Sequence, residues 1–272
     1  MAHGTLFVVA TPIGNLGDSS ARSLEVLRGV DLIACEDTRT SRTLLARHGI
    51  SVPTVSLHEH NEREQAKHLV EKLKIGKSIA LVSDAGTPGV SDPGALLVAA
   101  AHRAGIPVSP LPGASAVAAA LSVSGFSAER FFFAGFLPAA GTARRKALED
   151  LDLPVPVVFY EAPHRVADTL ADLASRFAGR EIVIARELSK KFEEVARLPL
   201  AEAAQWIETR QHGEFVLVLA PGEQRPPTAL DAERVLDALL ESLAPSEAAR
   251  IAARITGLPK RELYRKAMQR SK

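Results

Sequence analysis

The sequence predicts an α/β protein, with two successive α/β domains followed by a small helical module, and three observations carry that reading. Short β-branched or apolar runs alternate with helical stretches through the first 125 residues, a second such series starts after Gly125, and the charge balance reverses near the C-terminus. Short continuous apolar runs separated by helices mark a parallel sheet covered on both faces. At 272 residues, 46% hydrophobic and 24% charged, the chain has the usage of a globular protein with sizeable cores.

In the first series the strands are expected at Leu6 to Ala10, Leu32 to Cys35, Thr54 to Leu57, Ile79 to Val82 and Pro107 to Leu111. Helices are expected at Ala21 to Arg28, Ser41 to Arg47, Glu62 to Lys74, Gly94 to Arg103 and Ala114 to Ser122. In the second series the strands are expected from Phe131 onward, at Val155 to Tyr160, Ile182 to Ala185 and Phe215 to Ala220, with helices around Ala143 to Leu151, Arg165 to Phe177 and Pro199 to Arg210. Glu223 to Thr228 contains Pro226-Pro227 and reads as a linker, because adjacent prolines cannot continue a strand ladder. Beyond it helices are expected at Ala229 to Leu243, Ser246 to Ile255, with Ser246 as candidate N-cap, and Lys260 to Arg270. The joint Thr256-Gly257-Leu258-Pro259 is of the kind found in helix-turn-helix modules. The expected domains are therefore residues 1–125, 126–222 and 223–272.

The net charge of +1 conceals the reversal. From Ala244 to Lys272 eight basic residues face two acidic ones, so the rest of the chain is net acidic. A basic tail on an acidic body suits a polyanionic partner, because basic side chains displace the counterions condensed on phosphates; a solvated helix face is the plain alternative. The single cysteine, Cys35, excludes an internal disulfide, and Met1 to Gly4 lacks the character of a signal peptide. No apolar stretch approaches the length of a membrane span. A cytoplasmic protein with no membrane partner is expected.

An open α/β sheet places its ligand outside the C-terminal strand ends, so the turns after the strands are the candidate site. The first, Thr11 to Asp18, offers two glycines for close backbone approach together with Asn15 and Asp18; a plain strand-to-helix connector accounts for it too. The second, Glu36-Asp37-Thr38-Arg39, sets two acids and a cation after a strand end, a pattern that capping plus a surface ion pair also explains. The fourth, Ser83 to Gly94, is too long and too rich in turn residues for a mere connector. The fifth, Pro112 to Ala116, uses only small residues, leaving room for a ligand or for tight helix packing.

Several familiar chemistries fail on spacing. No G-x-G-x-x-G follows the first strand, Glu71 stands where a P-loop before Gly76-Lys77-Ser78 needs its first glycine, and Val117 replaces the second glycine of a nucleophile elbow at Ser115. His58 and His60 would share a strand face, but no third ligand can be assigned to them, so no metal is expected.

Seven strings in order identify a resemblance: T-P-I-G-N-L-G-D from Thr11, E-D-T-R from Glu36, H-E-H-N-E from His58, S-D-A-G-T-P from Ser83, P-G-A-S-A from Pro112, G-F-L-P from Gly135 and E-A-P-H-R from Glu161. Together with A-A-R-I-T-G-L-P-K-R-E-L-Y from Ala252, they resemble the RsmI branch of the tetrapyrrole methylase superfamily. The resemblance implies a class III methyltransferase, dimeric, with S-adenosylmethionine in a cleft between two α/β domains and a C-terminal RNA-binding module. The implied reaction is 2′-O-methylation of a cytidine ribose in small-subunit (16S) ribosomal RNA, near the decoding site, on naked RNA or the assembled subunit.

By the same resemblance the cofactor wall comprises Pro12, Gly14, Asp84, Ala85, Gly86, Val90, Asp92, Ala114 and Ser115, closed from the second domain by Phe136, Leu137, Tyr160, Ala185, Arg186 and Glu187. In the tail Arg250, Arg254, Lys260, Arg261 and Arg265 are the candidate RNA contacts. Position after a strand on the cleft side makes Glu36 or Asp37 the candidate base, with Arg39 on an RNA phosphate and Asn15 orienting the ribose. Two other readings compete: a methylase acting on a tetrapyrrole or a modified amino acid, against which the basic tail and H-E-H-N-E speak, and a non-catalytic RNA-binding protein of ribosome assembly.

Overall fold

A computed structural model of the chain describes residues 3–223 and 229–270. Pro226-Pro227, Arg225 and Lys272 lie outside the described residues. By its contacts the chain divides into two compact units, residues 1–222 and 223–272. Among the described residues no helix is long and apolar enough to cross a membrane.

The larger unit holds two sheets. In the first, β1 (Leu6–Val9), β2 (Leu32–Cys35), β3 (Thr54–Ser56), β4 (Ile79–Val82) and β5 (Val108–Leu111) lie in the order β3-β2-β4-β1-β5, all parallel. Its strands alternate between two apolar layers, as side chains of successive residues must. Ile79 and Leu81 of β4 pack with Leu69 and Leu73 of α3 (Glu62–Lys74) and Leu97 of α4 (Ala95–Arg103). Ala80 and Val82 pack on the opposite face with Leu27 of α1 (Ala21–Gly29) and Leu45 of α2 (Thr38–Arg47). Because β4, β1 and β5 are neighbours, the turns that follow them emerge side by side. A bridge between Thr11 and Gly86 ties the first two of these turns, with Thr11 Oγ1 donating to the Ser83 carbonyl at 3.0 Å.

The second sheet is mixed, in the order β6-β7-β10-β8-β9. Here β6 (Phe132–Phe136) runs parallel to β7 (Val157–Glu161), while β10 (Phe215–Leu219) is antiparallel to both β7 and β8 (Glu181–Arg186). The helix expected from Pro199 is preceded by a strand the sequence reading missed, β9 (Glu194–Pro199), paired antiparallel with β8 along its whole length. Its charges explain the miss: Glu194 and Arg197 point outward into ion pairs with Arg210 and Glu181, so little of β9 is apolar. One face of the sheet packs under α6 (Gly141–Glu149), α7 (Val166–Arg176) and α8 (Leu200–Ile207). The other is covered by α5 (Ala116–Ser124), whose Val117, Ala120 and Leu121 pack on Val158, Val183 and Val218.

The smaller unit has its own core. Leu236 of α9 (Ala229–Leu240), Ala248, Ala249 and Ala252 of α10 (Pro245–Thr256), and Leu263 and Ala267 of α11 (Lys260–Arg270) are buried together. Helix α10 is capped by Ala244 rather than Ser246, because Pro245 occupies the first helical position, where its missing N–H costs nothing. It ends at Gly257, whose φ of +70° is the left-handed stop glycine adopts most readily.

Candidate active site

The fourth turn, residues 83–94, is held in place by a residue far away in sequence. Glu62 at the start of α3 is buried, and its Oε1 accepts from the Gly94 and Leu96 amides at 2.8 Å each. Those amides open α4, so the carboxylate satisfies the orphan donors of a helix N-terminus. Gly86 (φ +81°), Gly89 (φ +80°), Ser91 (φ +60°) and Gly94 (φ +130°) give the turn a left-handed course that side chains resist. Of the string His58 to Glu62 only the glutamate is spent on this anchor. The two histidines lie beyond β3 in a turn rather than on a strand, since Asn61 Oδ1 accepts from the His58 N–H at 2.9 Å and bends the chain. Among the described residues no group of side chains could hold a metal ion.

Between the two sheets of the larger unit this turn walls a cavity of about 320 Å³. Of the expected cofactor residues, Ala85, Gly86, Val90, Asp92, Ser115, Phe136 and Tyr160 line it. The Phe136 and Tyr160 rings meet at 5.5 Å, and a bulge at Gly135 (φ +65°) brings Phe136 to the rim. Ser115 serves twice, lining the cavity and capping α5 through the Ala118 amide. Sequence reasoning missed Ile13, Thr87, Leu188 and Val216 in the lining. Ile13 and Thr87 sit inside motifs already singled out, whereas Val216 arrives only through the pairing of β10 with β7 and β8, and Leu188 from the turn after β8.

The other expected residues are placed differently. Asp84 Oδ1 accepts from the Asp37 amide at 3.1 Å, joining the second and fourth turns, and the Ala114 carbonyl accepts from Thr87 Oγ1 at 3.3 Å. Pro12 and Gly14 are outside the cavity lining, and a Cβ on Gly14 would stand 2.8 Å from the Leu188 carbonyl. Leu137 turns into the core under the second sheet and Ala185 into the layer beneath α5, because alternate residues of β6 and β8 must face inward. Arg186 pairs with Glu194 at 3.7 Å, and Glu187 accepts from Lys190 Nζ at 2.9 Å and the Glu214 amide at 3.0 Å.

The candidate bases separate clearly. Asp37 caps α2, its Oδ1 accepting from the Arg39 amide at 2.7 Å, and both oxygens take the Arg39 guanidinium. That hydrogen-bonded cation holds the Asp37 carboxyl down at about 2. It is a stabilised anion with little appetite for a proton. Glu36 faces the opposite circumstances: burial, then the charges of Asp92, Asp84 and Asp37, push its carboxyl up. Asp92 is raised to about 6, by burial first and with Asp84 adding, against a hydrogen bond from Ser83. An acidic edge thus borders an apolar cavity, an arrangement that suits a ligand carrying positive charge on an apolar body. Asn15 spends its side-chain oxygen on the Gly17 amide at 3.0 Å.

In the smaller unit the basic residues divide into two sets. Lys266 and Arg270 bind Glu233 and Asp237 and so hold α11 to α9. Arg250 pairs with Glu247 at 3.3 Å. Arg254, Lys260, Arg261 and Arg265 are exposed and make no ion pair among the described residues. Arg261 and Arg265 flank the exposed Tyr264 and Met268 on one face of α11.

Comparison with known proteins places these features in context. The family of tetrapyrrole (corrin/porphyrin) methylases matches residues 5–204, and the RsmI C-terminal helix-turn-helix domain matches residues 226–271. The ribosomal RNA small subunit methyltransferase I of Pseudomonas aeruginosa is 50% identical over 99% of this chain and 99% of its own. That of Escherichia coli O157:H7 is 44% identical over 98% of this chain and 96% of its own. Among solved structures, a diphthine synthase superposes with a TM-score of 0.61 at 19% identity, covering 79% of this chain and 89% of that one. Uroporphyrin-III C-methyltransferase from Thermus thermophilus, solved with S-adenosylhomocysteine, has a TM-score of 0.56 at 16% identity, covering 81% and 97%. These two show a shared fold.

Proposed function

The chain belongs to the RsmI family of tetrapyrrole methylases, and on that premise we propose that it is an S-adenosylmethionine-dependent methyltransferase of small-subunit (16S) ribosomal RNA, acting on a cytidine ribose 2′-hydroxyl near the decoding site. The observation that carries the cofactor assignment is the apolar cavity edged by Asp92, with Glu36 and Asp84 close by. Ile13, Phe136, Tyr160, Leu188 and Val216 offer apolar walls, and the backbone of the fourth turn and Ser115 offer polar groups. These residues fit a nucleoside-containing cation. When bound, S-adenosylmethionine supplies an activated methyl group on a positively charged sulfur.

The chain's own task is then positioning, water exclusion and proton management. A ribose hydroxyl is a poor nucleophile while protonated, and a placed base contributes roughly 10²–10⁴-fold. Glu36 is the residue assigned that role, because its raised carboxyl accepts a proton more readily than the clamped Asp37. Asp37 and Arg39 position the turn that carries it. The unpaired cations Arg254, Lys260, Arg261 and Arg265 are assigned to RNA phosphates, in keeping with the helix-turn-helix match. A cytoplasmic homodimer acting on the RNA or the assembled subunit completes the reading.

The test is ribose-methylation mapping of small-subunit RNA from a deletion strain. Loss of one cytidine 2′-O-methyl group, restored by the wild-type gene and not by Glu36→Gln, is expected. An unchanged methylation map overturns the assignment.

A further inference from the structure

Behind the cofactor cavity lies an open groove that the reading above does not use. Gly14 to Gly17, Arg47, His48 and Ser189 to Lys191 line it. The two hollows share a wall, for Ile13 and Leu188 face the cavity while their neighbours Gly14 and Ser189 face the groove. That wall is fixed: Ser189 Oγ donates to Asp18 across the two sheets, and Glu187 and Ser189 hold left-handed φ values of +54° and +67°. Non-glycine residues are held there only where the surrounding structure over-determines them, and they collect at ligand-contacting segments.

The groove is lined by three cations and no carboxylate. One cation is already satisfied, as Lys190 Nζ donates to Glu187 and Glu214 at 2.9 Å each. Arg47 and Lys191 make no ion pair among the described residues. Next to the groove Phe192 is 67% exposed, with Lys191 Nζ 5.6 Å from its ring centre. Unpaired cations beside an exposed aromatic ring are what a single-stranded nucleic acid uses, its phosphates on the cations and an unstacked base on the ring.

We propose that this groove carries the RNA strand flanking the target nucleotide, with Arg47 and Lys191 on its phosphates and Phe192 stacking one base. The proposal rests on the RNA-methylation reading, and the experiment separates the two. Full-length wild type, the Arg47→Ala/Lys191→Ala double variant, Phe192→Ala and Phe192→Trp are titrated with small-subunit RNA over a range of salt, with cofactor affinity measured by calorimetry and mass by sedimentation. The double variant should bind RNA more weakly and flatten the slope of log K against log salt by about 1.4, from about 0.7 per single-strand phosphate contact. Phe192→Ala should lose roughly 5- to 150-fold with the slope unchanged, and Phe192→Trp should restore binding. Cofactor affinity should be unaltered in all of them. Wild type that binds no RNA overturns both readings, whereas wild type that binds, with variants that bind equally, overturns the groove alone. A Phe192→Ala protein that turns from dimer to monomer while keeping its RNA affinity makes the face a subunit contact and also overturns the proposal. So does a loss of cofactor affinity equal to the loss of RNA affinity, which would reduce these residues to supports of the cavity wall.

Discussion

If Asp92 receives the positive charge of the cofactor, cofactor affinity must depend on pH in a way that the structure specifies. In the free protein this carboxyl titrates at about 6, well above its ordinary 3.8, because burial disfavours its anion. A cationic ligand binds the ionised form. With a value of about 6 the ionised fraction is about 97% at pH 7.5 and about 9% at pH 5, so affinity should fall about tenfold across that interval. Binding at pH 6 should release about half a proton, as the ligand's charge pulls the carboxyl back down. Calorimetry in buffers of different ionisation enthalpy measures both quantities. Asp92→Asn should bind more weakly at pH 7.5 and remove both the pH dependence and the proton release. The free protein should show the opposite trend in stability. A folded-state value above the unfolded one means the native chain gains stability as pH falls from about 6 towards 3.8, so Asp92→Asn should raise the thermal midpoint at pH 7.5. Affinity that is flat from pH 5 to 7.5, or a slope that survives in Asp92→Asn, refutes the reasoning.

The other predictions concern the turns and the module. Glu36→Gln should lower the single-turnover methylation rate by about 10²–10⁴-fold with cofactor affinity unchanged, and should abolish a wild-type rise in rate with pH that tracks the elevated Glu36 carboxyl. Asp37→Asn should act instead on stability, since the depressed Asp37 carboxyl contributes above its unfolded value and loses that contribution as pH falls towards about 2; equal thermal midpoints of variant and wild type at pH 7 would contradict this. Glu62→Gln should weaken cofactor binding although Glu62 is not among the cavity-lining residues, because the amides of Gly94 and Leu96 lose a charged acceptor; unchanged affinity would show that the turn holds without its anchor. Each alanine at Arg254, Lys260, Arg261 or Arg265 should flatten the salt dependence of RNA binding by about 0.7 to 0.9, and four variants with the wild-type slope would assign those cations to solvent.

Much of this site was legible in the sequence because it is local. Strand-end turns follow from the apolar runs, and the helix Glu62–Lys74 appears with the limits its pattern suggests. Even the capping alternative at Glu36 to Arg39 was visible, since Asp37 and Arg39 are two residues apart and their ion pair needs no distant partner. What escaped is non-local. Glu62 reaches residues more than thirty positions away, the strand Glu194–Pro199 owes its existence to pairing with β8 rather than to its own composition, and the inward turn of Leu137 depends on which face of the second sheet α6 and α7 cover. Charged or single-residue signals of this kind acquire meaning only after the chain has closed on itself.

Helix α5 belongs by connection to the first sheet, since it follows β5, yet its apolar side is the lid of the second. Anyone dividing this enzyme into complementing fragments at the apparent boundary near Gly125 would leave the second fragment with Val158, Val183 and Val218 bare, and the first with a greasy helix and nothing to rest it on. Such halves should recombine obligately or precipitate. A cut before Ser115 instead keeps helix and sheet on one piece, but detaches the cap residue and its turn from Pro112 and Gly113, where Gly113 sits against Ala10. The same helix that makes the halves inseparable therefore makes them informative: reassembly of two inert fragments should restore the cavity in a single event, and could serve as a reporter of the two chains meeting.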